Sequence, residues 1–355
     1  MEHTTDTLTE TTSSPKREDF TFHAQGGEYF RIWIVNLVLT LLTLGIYSAW
    51  ATVRTKKYFY GSTELAGDRF EYLADPIVIL KGRLIAIAAL VVYTVLQTLL
   101  PIASLFLLLG LILLVPWIAV RSLRFNAIMS AWRGIRFGFD GTVKGAAQAY
   151  VLWPLFGIVT LGFGMPYAWH KQNQFKFTNH RFGESRTKTS ATAKDFYQIF
   201  YALFAAGIGG GVAIVIVVSI SSLVFVGATE ETSSAVSASM VVAMALYLAF
   251  YVMLYVIYEA MSFKIVFGNL SVDQNRFRTD VTIMGWFKVI IINTLAMVFT
   301  LGVYYPWARV RLTSYILAHL WIDAEDLASF TAHERDKTSA LGAEMGDAFD
   351  LGIGI

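Results

Sequence analysis

Three side-chain patterns in this chain have types and spacings that could do chemistry. Arg54 and Arg311 each stand four residues after a tryptophan (Trp50, Trp307) and four before a tyrosine (Tyr58, Tyr315). On a helix that spacing stacks the three along one face. The rings can then hold a guanidinium by cation–π contact while its planar fork takes a phosphate or carboxylate, as a ligand site or as a headgroup anchor. Asn36 and Asn293 each lie seven residues before a Thr-Leu-Gly sequence, inside apolar segments. An amide there must bond to protein or line a polar point in a cavity, because lipid offers no partner. Glu259, after Tyr255 and Tyr258, borders an apolar run; it can serve proton-coupled work or snorkel toward Lys264.

Enzyme chemistry is poorly served. The six histidines (His3, His23, His170, His180, His319, His333) include no i, i+4 pair for a helical zinc site, and there is no cysteine. Walker loops, Gly-x-Ser-x-Gly elbows and acid pairs within apolar runs are all missing from the sequence. The expectation is a protein that is not an enzyme and uses no cofactor or metal.

The elements that must position these residues repeat. Thr43–Tyr58 returns as Thr300–Tyr315, and a degraded copy, Thr160-Leu161-Gly162 followed by Tyr167-Ala168-Trp169, reads as carrying two extra residues. In that alignment Trp169 joins Trp50 and Trp307 as an interfacial anchor, and Asn173 replaces the arginine. Thr63–Tyr72 likewise matches Ser130–Phe139. The repeat is therefore composite: helix, turn, basic helix, glycine, strand. Repeats about 20–72, 121–182 and 263–321 are expected within a membrane domain of residues 19–322. Residues 1–18 read as a disordered tail and 323–355 as an acidic tail.

Apolar residues make up 55% and charged residues 15%, which indicates a membrane protein. Leu84–Leu100 and Ile102–Val120 form one hairpin across Pro101, and Ile199–Val226 and Met240–Tyr258 another around Glu230-Glu231. The run Gly207-Ile208-Gly209-Gly210-Gly211 suits close helix packing or a flexible point. Residues 31–322 hold 24 Lys+Arg against 12 Asp+Glu, while both ends are acidic. If the three repeat cores enter and leave on one side, all 24 fall on the cytoplasmic side; if each core spans, nine do not. The fold expected is mainly α: four spanning helices in two hairpins, plus three helix-turn-helix units, with both termini cytoplasmic. Seven kinked spans are the alternative. Lys81 and Arg83 read as topology signals. Five polar-aromatic signals, at 20–22, 70–72, 137–139, 175–177 and 277–281, suggest short cytoplasmic strands. Partners expected are membrane lipids, including anionic headgroups, and not nucleic acid.

The string Glu28-Tyr29-Phe30, Asn36, Leu41–Trp50, Val53-Arg54 and Tyr58, with Gly67, Phe70 and Tyr72, resembles the YjgN-like family of bacterial inner-membrane proteins. That resemblance covers roughly residues 20–322. It implies a multi-pass protein of the bacterial inner membrane whose molecular function is uncharacterised, and it brings no catalytic set. Two function classes follow from the residues. One is transport of a small or amphipathic solute between repeated broken helices. The other is a lipid-binding or structural membrane protein without transport activity.

Overall fold

A computed structural model describes residues 15–228, 232–325 and 327. The expected tails lie mostly outside these residues, as does the Glu230-Glu231 turn. Five copies of one unit, a helical hairpin followed by a β-hairpin, account for the described chain. Unit 1 is α1 (Gly26–Leu42), α2 (Ser48–Gly61), β2 (Thr63–Leu65) and β3 (Asp68–Tyr72). Unit 2 is α3 (Pro76–Leu99), α4 (Pro101–Ile128), β4 (Ser130–Trp132) and β5 (Ile135–Phe139). Unit 3 is α5 (Val143–Val159), α6 (Met165–Thr178), β6 (His180–Phe182) and β7 (Ser185–Thr189). Unit 4 is α7 (Ala193–Ala228), α8 (Thr232–Gly268), β8 (Leu270–Val272) and β9 (Asn275–Thr279). Unit 5 is α9 (Ile283–Phe299), α10 (Tyr305–Ala318) and β10 (Leu320–Ala324), and its second strand is supplied by β1 (Lys16–Phe22) from the other end of the chain.

The ten strands close into an antiparallel barrel in chain order, with β1 between β10 and β2. Closure leaves no edge to aggregate, and it explains why isolated strand signals could be so short. Local chemistry sets the hairpins. Ala66-Gly67 and Arg133-Gly134 both have positive φ at each position, as a two-residue type I′ loop requires. Five facing pairs point inward: Leu65–Phe20, Trp132–Phe70, Phe182–Phe137, Val272–Thr187 and Ile322–Phe277. Nine of these ten residues, Thr187 being the exception, form one apolar cluster, so the barrel is a packed plug. Three-residue connectors lead from strand to helix, and Asp75, Thr142 and Thr282 cap the helices that follow by accepting backbone N–H bonds.

Three sequence readings need correction. Phe175-Lys176-Phe177 is not a strand but the end of α6; the strand pair of that unit begins three residues later. Its Phe-x-Phe alternation arises because the two rings enter different apolar clusters on opposite sides of a largely polar helix, which shows no single apolar stripe. Second, β1 begins at Lys16 and β10 runs to Ala324, so residues at both tail boundaries belong to the barrel. Third, the middle copy has no insertion. Thr43, Thr160 and Thr300 start identical turns, and α2, α6 and α10 are each 14 residues long at the same offsets. What disguised the match is Trp169, which draws the alignment with Trp50 and Trp307 two residues out of register; α5 also carries a π-helical turn at Gln148–Leu152. It precedes Pro154, whose ring would clash with the carbonyl four residues back. Lys171, not Asn173, therefore stands where Arg54 and Arg311 do, and Tyr167, not Trp169, where Trp50 and Trp307 do.

Four helices, α3, α4, α7 and α8, are long and apolar enough to cross a membrane. They are the hairpins of units 2 and 4. The hairpins of units 1, 3 and 5 are short. Each helix packs on its hairpin partner and on the nearest helix of the adjacent unit, so the five hairpins form a ring standing on the barrel.

Candidate lipid interface

The Thr-Leu-Gly turn is a helix stop. In unit 1 the Gly45 N–H donates to Thr40 O at 2.8 Å and the Leu44 N–H to Leu41 O at 3.2 Å, a Schellman closure. Thr43 Oγ1 donates to Leu39 O and accepts from the Tyr47 N–H at 2.9 Å, which joins the end of α1 to the start of α2. The same bonds recur at Thr160 and Thr300. Leu44, Leu161 and Leu301 occupy the left-handed position, at φ of 49°, 52° and 51°. A glycine would fit there without the roughly 1 kcal/mol penalty of a β-carbon. All three leucines are nearly fully exposed, at 95%, 89% and 94%. A strained and exposed leucine at each tip suits hydrocarbon, where its side chain is stabilised.

Asn36 and Asn293 are buried staples within their hairpins. Asn293 Nδ2 donates to Ala308 O at 3.0 Å, and Asn36 Nδ2 to Ala51 O at 3.4 Å. Trp153 takes the same register in unit 3, its ring edge-on to Tyr167 at 4.8 Å. Tyr58 and Tyr315 dock on the start of their partner helix. Tyr58 OH accepts from the Gln25 N–H and lies 3.1 Å from Glu28 Oε2, while Tyr315 OH donates to Thr282 O at 3.4 Å. Phe175 replaces them in unit 3, packed against Gly145. Trp169 packs on Tyr258 of unit 4 at 5.5 Å. The residues expected to form one ligand site thus sit in separate hairpins. Arg54 and Arg311 are exposed, and Arg311 lies 5.7 Å over Tyr304.

Counting back from the first strand of each unit reveals a pattern that the three-copy alignment hid. Thirteen residues before the strand stand Trp50, Trp117, Tyr167 and Trp307; nine before it stand Arg54, Arg121, Lys171 and Arg311. Aromatic and cation are thus four residues apart on one helix face. Arg121 lies 5.6 Å over Trp117 and Lys171 5.4 Å over Tyr167. Unit 4 alone breaks the belt, with Ile257 and Met261. Because barrel closure fixes the units at one level, the four pairs form a belt at one depth. Trp117 and Arg121 were invisible as members because unit 2 lacks the Thr-Leu-Gly turn that flagged the others.

A second set of cations lies on another face. Arg83 of α3 donates to Ser48 Oγ at 2.6 Å and Thr52 Oγ1 at 2.8 Å. Arg309 of α10 lies 4.9 Å over Phe59 and donates to Tyr305 OH at 3.1 Å. Near the barrel, Lys176 is pushed down to about 8 by burial, and burial lowers His180 to about 4. His180 Nδ1 bonds to Lys176 O at 2.6 Å. An open apolar groove of about 520 Å³ runs between Gly162, Met165 and Trp169 of unit 3 and Phe200, Leu203, Phe204, Gly207 and Ile208 of α7. Gly210 receives the Phe250 ring of α8, so one glycine of that run serves helix packing. Among the described residues no group of three His, Cys, Asp or Glu could hold a metal ion.

The model of a family described as bacterial protein of unknown function (DUF898) matches residues 17–348. The chain belongs to that family. Inner membrane protein YjgN of Escherichia coli O157:H7 is 33% identical over 150 residues, 40% of this chain and 36% of that protein. The protein of the same name from Escherichia coli K12 is 31% identical over 144 residues, 40% of this chain and 36% of its own. That of Salmonella typhimurium LT2 is 32% identical over 147 residues, 39% and 34%. The matched stretch is thus about a third of those relatives' length. No solved structure matches. This DUF898 chain is a membrane protein by its relatives' names and its four long apolar helices.

Proposed function

We propose that this protein is a multi-pass inner-membrane protein that seats its helical ring in the cytoplasmic leaflet and binds anionic phospholipid along it. The observation that carries this reading is the belt, combined with helix lengths. From Arg54 to Gly45 is nine residues, ~14 Å of helix. Arg311 to Gly302 and Lys171 to Gly162 are the same. From Arg121 to Pro101 is twenty residues, about 30 Å. A hydrocarbon core is about 30 Å thick. Units 1, 3 and 5 therefore end near the midplane if the belt lies among headgroups, and unit 2 crosses. The closed barrel supports four spans over seven, since single crossings by the short units would put successive β-hairpins on opposite sides. The excess of basic residues favours a cytoplasmic barrel with both termini on that side.

Native mass spectrometry of the purified chain tests this. Wild type should retain phosphatidylglycerol over phosphatidylcholine. The combined Arg54→Gln, Arg121→Gln, Lys171→Gln and Arg311→Gln variant should lose most of that preference without losing thermal stability. Equal retention by both proteins overturns the reading. Transport of an amphipathic solute is the second reading, favoured by Arg83 and Arg309 on a face other than the belt's. Uptake or lipid flipping by reconstituted protein would support it.

A further inference from the structure

We propose that the face of α2 formed by Ser48, Thr52, Thr55 and Phe59 is a binding site for a phosphate-bearing anion. These positions are three or four residues apart and so share one side of the helix. They are half-buried, whereas the belt residue Arg54, two residues past Thr52 and about 200° around the helix, is exposed. Two guanidiniums reach this face from opposite neighbours. Arg83 comes from unit 2 and holds the Ser48 and Thr52 hydroxyls with separate Nη groups. Arg309 comes from unit 5 and covers Phe59, with the Tyr29 hydroxyl between it and Thr55. Helices of both flanking units meet on this side, so it is the inner side of the ring.

Neither arginine has a carboxylate within 4.0 Å among the described residues. That sets them apart from Arg133, Arg181, Arg186 and Arg278 on the barrel, each paired to an aspartate. Half-buried Arg83 costs free energy unless something compensates it, and hydroxyls do so only in part, whereas Arg309 is exposed and open to a ligand. The missing partner is an anion. The two arginine forks and the Tyr29 and Tyr305 phenols are a donor set for phosphate oxygens, while the Ser48 and Thr52 hydroxyls, whose own protons go to Gly45 O and Ser48 O, hold the Arg83 fork in place. Thr52 and Phe59 are seven residues apart, so the two guanidiniums are separated by about 10 Å along the helix. One phosphate cannot touch both Thr52 and Phe59; a phosphodiester headgroup with a second polar arm can span them. The donors suit a phospholipid headgroup or free phosphate, and the test separates the two.

The full chain is reconstituted in phosphatidylcholine nanodiscs. Inorganic phosphate is titrated in one arm and phosphatidylglycerol is doped in the other, with thermal stability and native mass spectrometry as readouts. Saturable stabilisation in either arm is expected, and the responding arm names the source. For a headgroup that spans the site, Arg309→Gln and the Ser48→Ala/Thr52→Ala pair should each weaken it at least tenfold; for inorganic phosphate, which reaches one end only, one of the two should. Arg83→Gln can loosen the contact between units 1 and 2, so exposed Arg309 carries the decision. Binding unchanged in both Arg309→Gln and Ser48→Ala/Thr52→Ala, or no saturable anion in wild type, overturns the site. The belt variant separates the two proposals: it should lose general lipid preference and keep this saturable site.

Discussion

The sharpest consequence of the belt is a depth. Single cysteines can be placed cleanly because the chain has none of its own. Leu44, Leu301 and Leu100 suit, being 95%, 94% and 58% exposed hairpin tips. Leu44 and Leu301 lie ten residues from Arg54 and Arg311. At 1.5 Å per residue that puts them about 15 Å above the belt, half of a ~30 Å core. Leu100 lies 21 residues from Arg121, about 32 Å, at the far interface. Nitroxides at 44 and 301 should therefore report maximal accessibility to oxygen and minimal accessibility to a polar relaxation agent. A nitroxide at 100 should show the reverse. A membrane-impermeant maleimide added from the periplasmic side should modify Leu100→Cys and spare Leu44→Cys and Leu301→Cys. Labelling of Leu44→Cys or Leu301→Cys from that side at the rate of Leu100→Cys would refute the half-depth placement, and the belt's role as a headgroup level with it.

Three further outcomes test the packing. Asn293→Leu removes one hydrogen bond, worth about 1 kcal/mol, but also an Oδ1 that is buried without a partner and costs about 1–3 kcal/mol. Thermal unfolding should be unchanged or raised; a loss above about 2 kcal/mol would show that the amide does more than staple. Trp132→Ala opens the barrel plug between Phe70 and Phe182 and should cost about 3–5 kcal/mol, read as a fall in melting temperature in detergent. Burial lowers Lys176 to about 8, so between about pH 8 and its ordinary value of 10.5 the unfolded chain binds the extra proton. Stability should rise with pH across that window, and Lys176→Met should flatten the profile there. His180, lowered to about 4, acts in the same sense below its ordinary 6.5: stability falls as pH drops from 6.5 toward 4, and His180→Phe should blunt the fall.

Much of this architecture is legible without coordinates because membrane chemistry is coarse. Four long apolar helices can be read from hydropathy, and the half-length hairpins from Gly45 and Gly302 with the bias of basic residues. The barrel is not legible. Strands of three residues such as His180–Phe182 carry no periodicity, and their pairing is settled by closure across the whole chain. Closure by β1 also lies beyond any local signal, since it joins residues some 300 apart in sequence. At the candidate site, Asn36 and Tyr58 stood out because identity between copies is equally good evidence for a shared packing device. Their contacts within one hairpin are of that kind. Arg83 reads from sequence only as a topology signal and Arg309 gives no signal, because neither recurs between the copies.

That difference bears on function. Units held at equal spacing on a closed barrel face equal packing demands, so equivalent positions should drift toward similar residues unless their surroundings differ. Nine residues before the strand, on the outer face, four of five units carry a cation. A uniform partner such as a bilayer asks for that. Eleven residues before the strand, on the opposite face, the residues are Thr52, Ala119, Trp169, Glu259 and Arg309. Packing alone does not call for an acid in one unit and an arginine in the next, since Ala119 and Thr52 fill the same register. Uniformity outside and asymmetry inside are what a ring produces when lipid surrounds it evenly and a single ligand sits off-centre within. The two arginines that converge on α2 mark the side of the ring where that ligand's charge belongs.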